Sequence, residues 1–192
     1  MHKPKPQVLS TIRSRPGGFS LVELLTALTV GSVLMSLTVP AMTGMLKNQH
    51  AASTVNALFA SLNLARSEAI KRNARAVLCK SADGVSCTTG GGWEQGWILF
   101  HDGNNNAVFD PGEQVVLQQG AVSSGIRLTG NMPVANYVSY SPSGTAKLIS
   151  GAFQAGTFTL CPASSSGVDV RQIVLSGTGR ARTQKGTLSD CL

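Results

Sequence analysis

Between Leu24 and Leu46 the sequence has no Asp, Glu, Lys, Arg or His, and Leu, Val, Met, Ala and Thr dominate. An uncharged stretch of that length has the character of a membrane-spanning helix. Histidine is scarce as well: His2, His50 and His101 are the only three, and none has a nucleophile partner at local spacing. Nothing in the sequence therefore reads as an enzyme active site, and no cofactor is expected. No C-x-x-C pair occurs and histidines near the cysteines are lacking, which argues against a zinc site. No internal repeat is visible.

What is present divides unevenly along the chain. At 192 residues and 20.0 kDa there is room for one globular domain and an appendage, and the appendage is N-terminal. The formal charge of +7 shrinks once the chain is divided, because Lys3, Lys5, Arg13 and Arg15 all precede Gly18. Without those four, twelve basic residues stand against nine acidic ones, a net charge of +3. That is mildly basic, so any nucleic-acid contact must rest on where the cations cluster.

The order of the N-terminal segments differs from that of an ordinary secretory signal, where the apolar stretch precedes a small-residue cleavage site. Here the basic stretch ends in Arg15-Pro16-Gly17-Gly18 and the apolar run follows. Cleavage after Gly18 would remove the basic piece and leave the helix on the product. The run Gly17-Gly18-Phe19-Ser20-Leu21-Val22-Glu23-Leu24-Leu25 closely resembles the prepilin cleavage motif of type IV pilins. That resemblance implies processing by a membrane aspartic prepilin peptidase between Gly18 and Phe19, and methylation of Phe19. It also gives Glu23 a role in filament assembly. A carboxylate near the membrane core costs about 2.5 kcal/mol or more on insertion scales. In the pilin family the corresponding Glu is thought to pair with the N-terminal amine of a neighbouring subunit, which would offset that cost. The leader cations would keep residues 1–18 on the cytoplasmic side of the inner membrane. The implied course is a single-pass inner-membrane protein with a periplasmic domain, then an extracellular pilus. Its expected partners are other pilins, the peptidase and the membrane.

Four segments follow: a leader at 1–18, a transmembrane half-helix at 19–46, an amphipathic half-helix at 47–75 and a β-rich domain at 76–192. Pro40, with Gly31 and Gly44, predicts a kink or softened region in the first half-helix. In the second, Val55, Leu58, Phe59, Leu62, Ala65 and Ala69 fall at helical spacing, and Glu68 and Arg72 form a favourable i,i+4 pair. Beyond Ala76, short apolar runs separated by Gly, Asn, Pro and Ser read as strands. These are Ala76 to Lys80, Trp97 to His101, Gln114 to Gln118, Ile126 to Thr129, Tyr137 to Tyr140, Thr157 to Cys161 and Arg171 to Leu175, with a loop from Ala163 to Gly167. The fold class is α+β, a type IV pilin fold with a long N-terminal helix packed on an antiparallel sheet. An even number of cysteines in an exported domain permits disulfides. Four cysteines allow three pairings, of which Cys79 with Cys87 and Cys161 with Cys191 are favoured. The first pair flanks a short turn-rich segment and the second fastens the C-terminus.

Three further stretches narrow the resemblance to the FimT/GspH branch of minor pilins and pseudopilins: Leu64 to Asn73, Gly96 to Phe100 with the Asp/Asn-rich loop after it, and the late Gly179-Arg180 pair. In that loop Asp102, Asn104, Asn106, Asp110 and Glu113 match positions 1, 3, 5, 9 and 12 of a calcium-binding EF-hand loop. Position 6 is Ala107 where the sharp turn needs Gly, and no flanking helices are predicted. The favoured reading is a polar hairpin loop whose Asx side chains bond their own backbone, with no metal assigned and calcium binding kept as the alternative. Gly179-Arg180-Ala181-Arg182, followed by Lys185, resembles the Gly-Arg-x-Arg motif of FimT-like pilins, whose arginines are implicated in DNA capture for natural transformation. Two arginines at i and i+2 of an extended segment would project to one side, and guanidinium groups pair bidentately with phosphate. Arg180, Arg182, Lys185 and, on the preceding strand, Arg171 are the expected DNA contacts. Base specificity is not expected, since there is no recognition helix and no evident aromatic platform at the tail. The rival reading is a minor pilin or type II secretion pseudopilin that primes filament assembly without binding DNA. For either, Gly18→Val is expected to leave a full-length precursor in the membrane. Mass spectrometry of the parent protein should find Phe19 as its N-terminus, and an N-terminus elsewhere contradicts the motif.

Overall fold

The computed structural model describes residues 18–122, 125–162 and 169–191, with side chains for all of these except 37–44. Residues 1–17 of the expected leader and the expected loop from Ala163 to Gly167 lie outside the described residues. The chain forms two compact units, Met1–Ala41 and Met42–Leu192. Helix α1 (Leu21–Arg72) begins in the first and continues in the second.

In the first unit Ser20 caps the helix: its Oγ accepts the N–H of Glu23 at 3.2 Å, and its carbonyl accepts that of Leu24 at 3.1 Å. Ser20 and Glu23 thus stand at the two positions of a capping box, and the Glu23 carboxylate complements the positive end of the helix dipole. Thr26, Thr29, Ser32 and Ser36 each donate to a carbonyl three residues earlier, at 2.7–3.0 Å. Hydroxyls satisfied inside the helix need nothing from the surroundings, as a lipid-facing segment requires. Among the described residues no helix is long and apolar enough to cross a membrane. The span expected at 19–46 includes residues 37–44, and the softening expected at Pro40 falls among those same residues, outside the described side chains.

In the second unit the helix presents Ala51, Val55, Leu58, Leu62, Ala65 and Ala69 as a fully buried stripe at helical spacing. Phe59, expected on that stripe, is only partly buried at its margin. The helix stops at Asn73, whose φ of 50° is a left-handed conformation that Asn tolerates. Asn73 N–H donates to the Ile70 carbonyl and Ala74 N–H to that of Ala69, both at 3.2 Å, so the last carbonyls are closed off by a Schellman cap.

Where a single sheet was expected, two four-stranded antiparallel sheets close on this stripe. One contains β1 (Ala76–Lys80), β2 (Trp97–His101), β3 (Val115–Gln119) and β5 (Tyr137–Tyr140) in the order β3-β2-β1-β5. The other contains β4 (Ile126–Gly130), β6 (Gly156–Pro162), β7 (Arg171–Leu175) and β8 (Ala181–Lys185) in the order β4-β6-β7-β8. Leu78, Trp97, Leu99 and Val138 of the first sheet and Leu128, Phe158, Leu160, Ile173 and Leu175 of the second share one core with the helix. The buried Trp97 donates its indole N–H to Ser61 Oγ on the helix at 2.9 Å, and that of Trp93 goes to the Val134 carbonyl at 3.1 Å. Both rings are therefore buried with their polar atoms paired.

The first sheet also buries its other face. Val77, Cys79, Ile98 and Phe100 form a smaller core beneath Ala107 and Phe109 of the β2–β3 loop. This makes β1 apolar on both sides, which is why it reads as a continuous buried run. Strand β8, absent from the sequence-derived set, has only Ala181 as an apolar residue. A strand at a sheet edge with one small residue against the core carries no alternating pattern to read.

Candidate functional site

The C-terminal cations sit on the β7–β8 hairpin at the free edge of the second sheet. Its register pairs Arg171 with Lys185, Gln172 with Gln184, Ile173 with Thr183, Val174 with Arg182 and Leu175 with Ala181. Side chains alternate between faces. Arg171, Thr183 and Lys185 therefore share the face that carries Ile173 and Leu175 toward the helix, where they line a cavity of about 190 Å³ with Val55 and Asn56. Arg182 and Gln184 lie on the opposite, outer face.

That outer face carries a polar row that crosses the whole sheet. Thr129, Thr159, Gln172 and Gln184 lie in one row across the four strands by register. Gln184 bridges the row to the cation: its Nε2 donates to Gln172 Oε1 at 2.7 Å while its Oε1 accepts from Arg182 Nη1 at 2.8 Å. Arg182 is exposed yet held in place.

Arg180 lies at the turn of the hairpin. It precedes β8 and closes the turn from Ser176 to Arg180, where its carbonyl accepts the Ser176 N–H at 2.9 Å. Its pairing with Ser176 stands one step beyond the Leu175–Ala181 pair of the hairpin. Gly179 explains the local sequence: its φ is 81°, and a Cβ there would collide with the Gly144 carbonyl oxygen. That same carbonyl accepts from Arg66 Nε at 2.9 Å, so helix, turn 141–145 and hairpin turn meet at one atom. The four cations thus divide between a turn and two faces of one edge strand pair. None of them is in an ion pair among the described residues.

The end of the chain returns across the sheet. Cys161 of β6 is joined to Cys191, and Cys79 of β1 to Cys87, which are the two pairings favoured from the sequence. Arg127 Nη2 donates to the Cys191 carbonyl at 3.0 Å. The Cys79–Cys87 loop has a second fastening in the buried Lys80, whose Nζ donates to the Thr89 and Gly91 carbonyls at 3.1 and 2.8 Å. Burial lowers the Lys80 pKa, opposed by the charge of Glu94.

At the other end Gly18 and Phe19 are exposed just before the helix, with Phe19 81% accessible. Glu23 is exposed in the first turn.

The Asp102-to-Glu113 loop joins two strands and is knitted by its own side chains. Asp102 accepts the N–H groups of Asn106 and Ala107 at 3.1 and 2.9 Å, and Glu113 accepts those of Gly103 and Asp110 at 2.8 and 3.1 Å. Asn104 accepts from the Asn106 N–H and Asn106 from that of Val108, both i to i+2 as in an Asx turn. Asn104 and Asn106 also donate to Asp110, which holds its carboxyl below the usual range. Ala107 takes a left-handed φ of 56° at the position where glycine was the expected requirement. Among the described residues no group of three or more His, Cys, Asp or Glu could hold a metal ion.

Two features escaped the sequence reading. Charge is segregated: after Glu113 the only acidic residues are Asp169 and Asp190, against Arg127, Lys147, Arg171, Arg180, Arg182 and Lys185. The second is Phe153, an isolated aromatic in a Gly/Ala/Ser-rich stretch, with no apolar alternation to mark it. The fold sets it beside the hairpin turn, where a Cβ on Gly177 would lie 3.1 Å from its own.

An α-helix with a capped, exposed, apolar N-terminal portion, whose later turns carry two antiparallel sheets, defines a type IV pilin-like α+β fold. The sequence model described as type II transport protein GspH matches residues 54–179, and that of the prokaryotic N-terminal methylation motif matches 13–39. The chain belongs to the GspH family, whose members are structural pilins and pseudopilins and not enzymes. The methylation motif implies a membrane-anchored pilin with a periplasmic domain, incorporated into a filament. Over 180 residues the chain is 31% identical to the pilin-like protein PilA1 of Thermus thermophilus, covering 87% of this chain and 97% of that one. Among solved structures it is similar to the type IV minor pilin FimU of Pseudomonas aeruginosa, with TM-score 0.49, 17% identity, and 74% and 92% of the two chains covered. It is also similar to the minor pseudopilin EpsH of the Vibrio cholerae type II secretion system, with TM-score 0.49, 12% identity, and 71% and 97% covered.

Cys191→Ser is expected to lower stability by about 3–4 kcal/mol in the chain-entropy model for a loop of 30 residues. Urea denaturation of the detergent-solubilised protein measures it, and an unchanged midpoint would show that the bond does not constrain the domain.

Proposed function

We propose that this minor pilin binds extracellular DNA non-specifically through the edge formed by β7, β8 and their turn, serving natural transformation. The observation that carries the reading is the charge on that edge: Arg171, Arg180, Arg182 and Lys185 lie within two paired strands and one turn, with no acidic partner among the described residues. A sheet edge is also where a polymer can be reached from both faces at once. Long side chains of Arg182 on one face and of Arg171 and Lys185 on the other can straddle a phosphate chain lying along β8. Charged residues also protect a free edge from pairing with other strands, and that role is compatible with phosphate binding.

Upstream of this, the leader is removed after Gly18, Phe19 is methylated, and Glu23 pairs with the N-terminal amine of a neighbouring subunit during assembly. The subunit passes from the inner membrane, anchored by one helix with the domain in the periplasm, into an extracellular pilus. Micromolar or weaker affinity per subunit is the expected scale for non-specific binding at physiological salt. Several subunits on one filament would then act together on a long polymer through effective concentration.

A second reading, assembly priming without DNA, is favoured by the N-terminal helix alone, since a primer needs that helix and Glu23 but no phosphate-binding edge. Salt dependence separates the two. Four duplex phosphate contacts give a log–log slope of about −3.6, and replacing Arg180 and Arg182 by Gln should reduce its magnitude by about 1.8. Fluorescence anisotropy between 50 and 200 mM salt measures both values. An unchanged slope in the double variant would remove this edge from DNA binding and leave the primer reading.

A further inference from the structure

Phe153 is 70% exposed, whereas Phe59, Phe100, Phe109 and Phe158 are buried or half-buried in the domain. It is also rigidly presented. Residues 146–154 form a small hairpin in which Lys147 bridges to Phe153, the Leu148 N–H donates to the Ala152 carbonyl at 2.8 Å, and the Gln154 N–H donates to that of Ala146 at 2.9 Å. The neighbouring Gln154 is fully buried and spends its whole amide on backbone. Its Oε1 accepts the Ser139 N–H at 2.9 Å, and its Nε2 donates to the Pro133 and Tyr137 carbonyls at 2.7 and 2.8 Å. With residue 154 locked inward, residue 153 is turned out.

The surroundings of the ring are cationic. Lys147 Nζ lies over the ring, 5.9 Å from its centroid, and the Phe153 side chain rests against Gly177 in the turn that Arg180 closes. Neither cation is in an ion pair among the described residues, and the only acidic residues after Glu113 are Asp169 and Asp190. An exposed aromatic ring with one cation over it and a second residue of the same charge on the adjoining turn suits an unpaired nucleotide: the base stacks on the ring in place of the Lys147 ammonium, and the phosphates meet the charges.

We propose that Phe153 is a stacking platform for single-stranded DNA, with Lys147 and Arg180 engaging the adjacent phosphates. This rests on the DNA-binding reading above and deepens it. Duplex DNA keeps its bases stacked on one another, so it offers the ring nothing and should be held by the β8 edge alone. Unpaired bases at a strand end or in a melted stretch would gain Phe153 as an additional contact. The contact carries no sequence preference of its own, since every base has a π face.

The test uses the full chain in detergent, a fluorescein-labelled thymidine 15-mer and a labelled duplex of equal length, with anisotropy read at one fixed salt concentration. Phe153→Ala and Phe153→Leu are expected to weaken single-strand binding about tenfold, the scale of losing one stacked base, and to change duplex binding less than twofold. Phe153→Trp should retain the affinity and add a fluorescence signal that the 15-mer quenches. If the parent binds both DNAs and Phe153→Ala holds the 15-mer as tightly as the parent, the platform is refuted while the DNA-binding reading stands. Equal losses for both DNAs would also refute it, making Phe153 a support for the hairpin turn or a contact for another protein. If the parent binds neither DNA, the reading beneath it fails as well.

Discussion

The burial of one helical stripe, from Ala51 to Ala69, against two sheets at once is the constraint on which the domain depends. Small residues at Ala51, Ala65 and Ala69 flank Val55, Leu58 and Leu62, so strands can approach the stripe closely at its ends and interlock with it in the middle. The first sheet meets this stripe through Trp97 and Leu99, the second through Phe158, Leu160 and Ile173. Because the helix occupies the inner face of both sheets, each sheet keeps its edges free, and one of those edges is β8.

From that arrangement the character of the C-terminal edge follows. β7 must be apolar toward the helix at Ile173 and Leu175, which leaves Arg171 at its start and Gln172 on its outer face. β8, with only one neighbour, is nearly free of core demands and can be all Arg, Thr, Gln and Lys after Ala181. The Cys161–Cys191 bond and the Gly179–Gly144 contact hold the two ends of the hairpin region to the rest of the domain. A cationic edge fixed at both ends loses little conformational freedom when it meets a polyanion.

Much of the architecture was legible because it is written in local patterns. The stripe on α1 has helical spacing, seven of the eight strands among the described residues are short apolar runs, and the cysteine pairs are the set favoured among three possible pairings. The division into two sheets was not legible, since strand pairing is long-range and β4 begins a new sheet while β5 returns to the first. The site was half visible. Arg180, Arg182 and Lys185 are close in sequence, but the split of Arg182 and Lys185 between two strand faces depends on the β7–β8 pairing. The Ser20–Glu23 cap could have been read from its S-x-x-E spacing, which the membrane cost of Glu23 overshadowed. Phe153 and Lys147 reach the hairpin turn only through the fold.

Hydrogen–deuterium exchange of the full chain, with and without single-stranded DNA, tests the location of the interface most directly. The account predicts added protection of amides in two segments, 171–185 and 146–154, with helix α1 and the loop from Asp102 to Glu113 unchanged. Protection confined to that loop or to the helix, or none at a DNA concentration that saturates binding, would contradict it.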